Sequence, residues 1–258
     1  MPFMTIMRIS GALAALSILV GCASQLELET MGAQQFEQIR ETSALVRDPA
    51  TINYVKCVAD AIVAELEGAD AEMYWELAVV DNPTINAFVL PGGKIVVFSG
   101  ILSVAQNQHQ LAAVMGHEVA HVTANHPKER MARQEATTFG ADTLAMVLGG
   151  GWHRQTAAAR DSLRTLTTLG ILNPFSRGQE TEADLIGLEY MAKAGFDPRE
   201  SVELWKAMNE KNESTLPEYM STHPSGDTRI EGLIGEYPKT LVYYNQAKAA
   251  GKVPNCRK

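Results

Sequence analysis

The sequence predicts an α+β fold that is mainly helical, with a small sheet ahead of one chemically loaded helix. Three observations point there. Helical patterning dominates the 258 residues; three short runs rich in β-branched and aromatic residues lie between Tyr74 and Phe98; and His117-Glu118-Val119-Ala120-His121 stands inside an apolar helical stretch.

In chain order, helices are expected around Ala33 to Val46 and around Ala50 to Glu67, the second with Asp48 as cap and Pro49 in its first turn. Strands follow at Tyr74 to Val80, Asn86 to Leu90 and Lys94 to Phe98, punctuated by Asn82-Pro83 and Pro91-Gly92-Gly93. An edge of this sheet is a place for an extended peptide, since backbone pairing holds a strand without demanding a sequence; a purely structural hairpin is the plainer reading. Residues from about 127 to 177 are the least legible. There Gly149-Gly150-Gly151-Trp152 separates two amphipathic stretches, and the segment reads either as a lid or as ordinary helical packing. Helical patterns return from Pro198 to Asn212 and from Asp227 to Tyr237. No internal repeat is evident.

His117 and His121 are four apart, on one face of a helix, so their imidazoles can converge on one metal ion, zinc above all. Glu118 flanks the pair and is placed as the base that deprotonates a water acidified by the metal. Leu111, Val114, Met115, Val119 and Val122 supply a core-facing stripe, with the motif residues on the remaining arc.

A catalytic zinc needs a third protein ligand. Downstream, Glu180-Thr181-Glu182-Ala183-Asp184 opens another helical pattern running into Tyr190 and Met191. Acids at a helix start commonly just stabilise its dipole. Beside the histidine pair, one of Glu180 and Asp184 can ligate while the other accepts the second ring proton of a ligating histidine. Glu180 and Glu182 point about 200° apart, so only one of them can face the metal. Asp184 lies one turn after Glu180, and backs a histidine only if Glu180 is the acid turned inward.

These motifs, with Ser221-Thr222-His223-Pro224-Ser225, Arg229-Ile230 and the strand pair Asn86 to Ile95, resemble the M48 zinc metallopeptidases. The resemblance runs from about Tyr54 to Tyr237, and is strongest to bacterial lipoprotein and periplasmic members related to the mitochondrial Oma1 protease. It implies a gluzincin fold with one zinc per chain, held by His117, His121 and Glu180, with Glu118 as general base and Asp184 behind a ligand. It also turns His223 toward the zinc, either to stabilise an oxyanion or to latch the open position. Arg229 then anchors that loop or pairs with a carboxylate in the cleft. Trp205 and Tyr219 read as packing; His109, His126 and His153 lack partners at ligand spacing and are assigned no site.

The N-terminus reads as an export signal. Arg8 precedes the apolar run Ile9 to Val20, too short to span a bilayer as a mature helix, and Leu19-Val20-Gly21-Cys22 resembles a bacterial lipobox. Residues 1–21 would be removed and Cys22 acylated, leaving 22–48 as tether and helix and 49–258 as the peptidase domain. Ala23 in place of an aspartate favours the outer membrane. Cys57 and Cys256 remain as an even pair in an oxidising compartment; they form either a bridge or two free thiols, one of them in an apolar stripe.

The net charge of −8, from 22 basic and 30 acidic residues, falls to near −9 once Arg8 is removed. Lacking a basic run or aromatic platform, the chain is not expected to bind nucleic acid. Its expected partners are a membrane, through Cys22, and polypeptide substrates. The expected activity is zinc-dependent endopeptidase cleavage, and the resemblance implies misfolded or unassembled envelope proteins as substrates. The alternative is an outer-membrane protein assembly factor whose zinc site is latched by His223 and weakly proteolytic.

Overall fold

A computed structural model describes residues 25–130, 175–211, 219, 223 and 227–258. The export segment 1–21, Cys22, Gly149 to Trp152 and His153 lie outside the described residues, as does most of the 127–177 segment read as a lid or as packing. The described helices are α1 (Gln25–Thr42), α2 (Pro49–Val63), α3 (Gly68–Glu72), α4 (Gln108–Thr123), α5 (Arg177–Lys193), α6 (Glu200–Lys211), α7 (Asp227–Gly235) and α8 (Tyr237–Ala249). Between α3 and α4 run β1 (Glu76–Val80), β2 (Ala87–Leu90) and β3 (Lys94–Phe98). The fold is thus α+β and mainly helical, with its small sheet ahead of the helix that carries the histidine pair.

The sheet order is β1-β3-β2, with β1 parallel and β2 antiparallel to β3. Its strands are apolar at successive positions because helices cover both faces. Ile95 and Val97 point into the core shared with α2 and α4, whereas Val96 joins Phe36 of α1, Ala78, Val80 and Leu90 on the other side. The first helix starts earlier and stops sooner than the apolar spacing predicts. After Thr42 the chain extends and Leu45 bridges Val80, with Val46 N donating to Val79 O at 2.9 Å and Asp81 N to Ala44 O at 2.7 Å. Residues 44–46 therefore cover the outer edge of β1.

Caps set the helix starts that matter. Asp48 accepts from Ala50 N and Thr51 N to begin α2 at Pro49. Asn107 accepts from His109 N and Gln110 N to begin α4. Ser176 and Gln179 form a capping box at the start of α5. The expected helix ending at Tyr237 is two helices, since Pro238 sits in the first turn of α8. Cys57 and Cys256 are bonded, with Cα atoms 5.6 Å apart. Gln108 secures the same tail, donating to Pro254 O at 2.9 Å and accepting from Cys256 N at 2.8 Å. Among the described residues no helix is long and apolar enough to cross a membrane.

Candidate metal centre

Helix α4 is not the one-sided amphipathic helix its stripe predicts. Every residue from Gln110 to Val122 except Ala113 is buried, because the sheet and α2 pack on one side and α5 and α6 on the other. The motif side chains thus sit in the interior, where polar groups persist only with partners. Gly116 and Gly187 let α4 and α5 meet backbone to backbone: a Cβ on Gly116 would lie 2.6 Å from Gly187 O. That contact sets Glu180 and Asp184 of α5 opposite His117 and His121.

His117, His121, Glu180 and His223 each offer one ligand atom, all within 4.8 Å of one another, and all four residues are buried. His117 Nε2 lies 3.0 Å from His121 Nε2 and 3.5 Å from Glu180 Oε2; His121 Nε2 lies 3.4 Å from Glu180 Oε1. Four donors around a tetrahedral zinc with bonds of about 2.0–2.1 Å stand roughly 3.3 Å apart, so the set fits that ion. His223 Nδ1 completes it, 3.2 Å from His117 Nε2 and 3.0 Å from Glu180 Oε1. Glu180 Oε2 and Glu118 Oε1 are buried without a hydrogen bond, as expected of a ligand oxygen and of a base awaiting its proton. His223 Nε2 is 3.4 Å from that Glu118 oxygen.

The surrounding groups hold this cluster in place. His117 Nδ1 meets Asp184 Oδ1 at 3.0 Å, which leaves Nε2 for a metal. Arg229 Nη2 donates to the same Asp184 oxygen at 2.6 Å, Arg229 Nη1 lies 3.1 Å from Glu180 Oε2, and the guanidinium stacks 3.6 Å over the Trp205 ring. Arg229 thus pairs with carboxylates in the cleft, one of the two roles expected for it. Burial opposes the Arg229 charge, yet Asp184 and Glu180 outweigh it and raise its pKa. Burial likewise disfavours the Glu180 carboxylate, but the imidazoles of His117, His121 and His223 around it prevail and hold it ionised, well below the usual range. Burial also pushes the His121 imidazole well below its ordinary value. Burial and Arg229 work against a proton on His117, but Asp184 and Glu180 prevail and raise its pKa to about 9.

Three residues given no part in the site stand close to it. Tyr219 stacks on His223 with ring centres 4.6 Å apart, and burial and Glu118 push its phenol well above the ordinary value. Trp205 supports Arg229. His126 Nδ1 lies 2.9 Å from His121 Nδ1, and its Nε2 is 3.2 Å from Glu182 Oε2. Spacing hid His126, because Asn125 turns the chain with φ of 59° and folds it back. Phe175 stacks on His121 at 3.7 Å and no sequence signal marked it. His109 is elsewhere, its Nδ1 accepting from Asp197 N at 3.1 Å.

A buried two-histidine, one-glutamate cluster with a carboxylate beside it on the HExxH helix defines a metallopeptidase centre of the gluzincin type. Residues 49–236 match the profile of peptidase family M48. The mitochondrial metalloendopeptidase OMA1 of Schizosaccharomyces pombe is 39% identical over 196 residues, covering 75% of this chain and 55% of that protein. OMA1 of Arabidopsis thaliana is 38% identical over 193 residues, 74% of this chain and 37% of that protein. The β-barrel assembly-enhancing protease of Escherichia coli is 29% identical over 205 residues, 78% of this chain and 42% of that protein. The chain belongs to peptidase family M48, whose members use zinc. It spans about half, or less, of the length of these relatives.

Proposed function

We propose that this chain is a zinc-dependent endopeptidase of the bacterial cell envelope, cutting misfolded or unassembled envelope proteins. The observation that carries the reading is the buried Glu118 carboxylate, one oxygen unbonded, next to the cluster of His117, His121 and Glu180. Zinc held by those three side chains would supply a Lewis acid that polarises the scissile carbonyl and acidifies water. Glu118 takes the proton from the attacking water and returns it to the departing amine. Asp184, steadied by Arg229, keeps the His117 Nδ1 proton in place and its Nε2 free. His223 stands between Glu118 and the cluster, where its ring can donate to a developing oxyanion.

The edge of β2 favours an extended polypeptide as substrate. Phe98 N donates to Asn86 O at 3.0 Å, so by alternation Ala87 and Val89 turn their backbone groups away from β3. No described backbone group meets them. The neighbouring Ile85 O accepts from Tyr219 N at 3.2 Å, which ties this edge to the residue stacked on His223. A strand added there is read through its main chain, as suits unfolded proteins of varied sequence.

The export segment and Cys22 favour a lipid-anchored protein at the periplasmic face of the outer membrane. The relative named as a β-barrel assembly-enhancing protease makes unassembled envelope proteins a natural substrate class. A second reading rests on His223 itself, which stands within the donor set. If it latches the metal, the chain acts mainly as an assembly factor. Glu118→Gln separates the two: it should keep zinc and lose cleavage of an unfolded polypeptide by about 10²- to 10⁴-fold. Wild-type cleavage by the variant overturns the mechanism, and full rescue of a deletion phenotype favours the assembly role. Cys22→Ser should abolish partitioning into detergent; unchanged partitioning overturns the anchor.

A further inference from the structure

The two histidines of the motif are backed in different ways. His117 gives its Nδ1 proton directly to a carboxylate, Asp184. His121 faces another imidazole instead, and that ring, almost wholly buried, reaches the side chain of Glu182, which is 60% exposed. We infer that His126 and Glu182 form a relay that fixes His121 as a metal ligand, an inference that rests on the zinc reading above.

The argument turns on where protons sit. Two Nδ1 atoms 2.9 Å apart share a single hydrogen, so one ring donates and the other accepts. If His126 donated, the neutral His121 would carry its own proton on Nε2 and present no lone pair to the cluster. Glu182 removes that choice. Its carboxylate only accepts, so it draws the His126 proton to Nε2, 3.2 Å away, and leaves His126 Nδ1 as an acceptor. His121 then keeps its proton on Nδ1 and turns a free Nε2 toward His117 and Glu180. A surface carboxylate thereby sets the tautomer of two buried rings in series. The turn at Asn125 makes the relay possible, because on an unbroken helix residues five apart stand about 140° from one another. His126 and Glu182 are positioning residues; neither belongs to the ligand cluster.

The test measures zinc affinity by competition with a chromophoric chelator, together with the visible spectrum of the cobalt-loaded protein, on wild type, His126→Leu, His126→Asn and Glu182→Ala. Leucine removes the acceptor, whereas asparagine returns an oxygen near the Nδ1 position. His126→Leu should bind zinc about 10- to 100-fold more weakly and alter the cobalt spectrum, the usual cost of losing a ligand's outer partner. His126→Asn should recover most of that loss. Glu182→Ala, on the surface and free of folding penalties, should lose less, at least about threefold. Wild-type affinity in His126→Leu or in Glu182→Ala overturns the relay, and so does equal weakening by leucine and asparagine, which marks a merely structural histidine. If His126→Leu does not fold, Glu182→Ala decides alone. A wild-type protein that binds no zinc overturns the functional reading as well, whereas an unaffected variant of a zinc-binding protein overturns only the relay.

Discussion

Gly116 and Gly187 face each other where α4 crosses α5, so close that a Cβ on Gly187 would lie 2.6 Å from His117 N. The backbone there has no flexible side-chain end to yield, and His117 is the residue next to the contact. Gly187→Ala must therefore part the helices that carry His117 and Glu180. We expect a loss of about 1–3 kcal/mol in stability, from overpacking, together with weakened zinc binding. Gly178 in the same helix has nothing within 4 Å, and Gly178→Ala should be neutral or slightly stabilising. Thermal unfolding and zinc titration of the two variants check this. Equal behaviour would mean that the crossing does not set the site.

The neighbouring acids of α5 divide the same way in a mutational test. Glu180 is buried in the cluster, while Glu182 is exposed and touches His126. Glu180→Gln should lose zinc and peptide cleavage together. Glu182→Gln should retain both, because the amide oxygen still accepts from His126 Nε2. Metal content and cleavage measured on each variant decide it; the reverse pattern would move the third ligand to Glu182 and leave Asp184 without its role.

Much of this site was legible because its parts lie at short, fixed spacings. His117 with His121 and Glu180 with Asp184 are one helical turn apart, and such pairs share a face wherever the helix goes. The strands were equally legible, since β-branched runs between proline and glycine turns admit few other structures. What escaped depends on tertiary contacts. Leu45 leaves a helical pattern to bridge Val80. His126 reaches His121 only because Asn125 adopts a left-handed turn. Trp205 looked like packing because its partner, Arg229, comes from another helix.

Arg229 is the only arginine or lysine among the described residues paired with both Asp184 and Glu180. Removing it leaves two buried carboxylates with only the His117 imidazole between them. Arg229→Met keeps much of the packing against Trp205 and should cost the metal-free protein about 3–5 kcal/mol. Zinc supplies positive charge at the same place, so it should raise the melting temperature of the variant more than that of wild type. Unfolding curves with and without zinc measure the difference. Equal metal-free stability of the two proteins would show that the pairing contributes little.

Proton release provides the last test. The His117 pKa is raised to about 9, whereas His121 is held neutral by burial and Glu180 stays ionised. Metal-free protein at pH 7.5 thus carries one extra proton on His117, shared between Asp184 and Glu180, and zinc must displace it from Nε2. The sign follows from the raised value. Stability gained from this proton is fully present below the unfolded histidine value near 6.5 and is lost as pH rises through about 9. Zinc affinity runs the other way, increasing about tenfold per pH unit across that window and levelling above it. Calorimetric titration in buffers of different ionisation enthalpy should find about one proton released per zinc at pH 7.5, falling toward zero above pH 9. A release that does not change between pH 7 and 10 would mean that Asp184 and Glu180 do not hold a proton on His117.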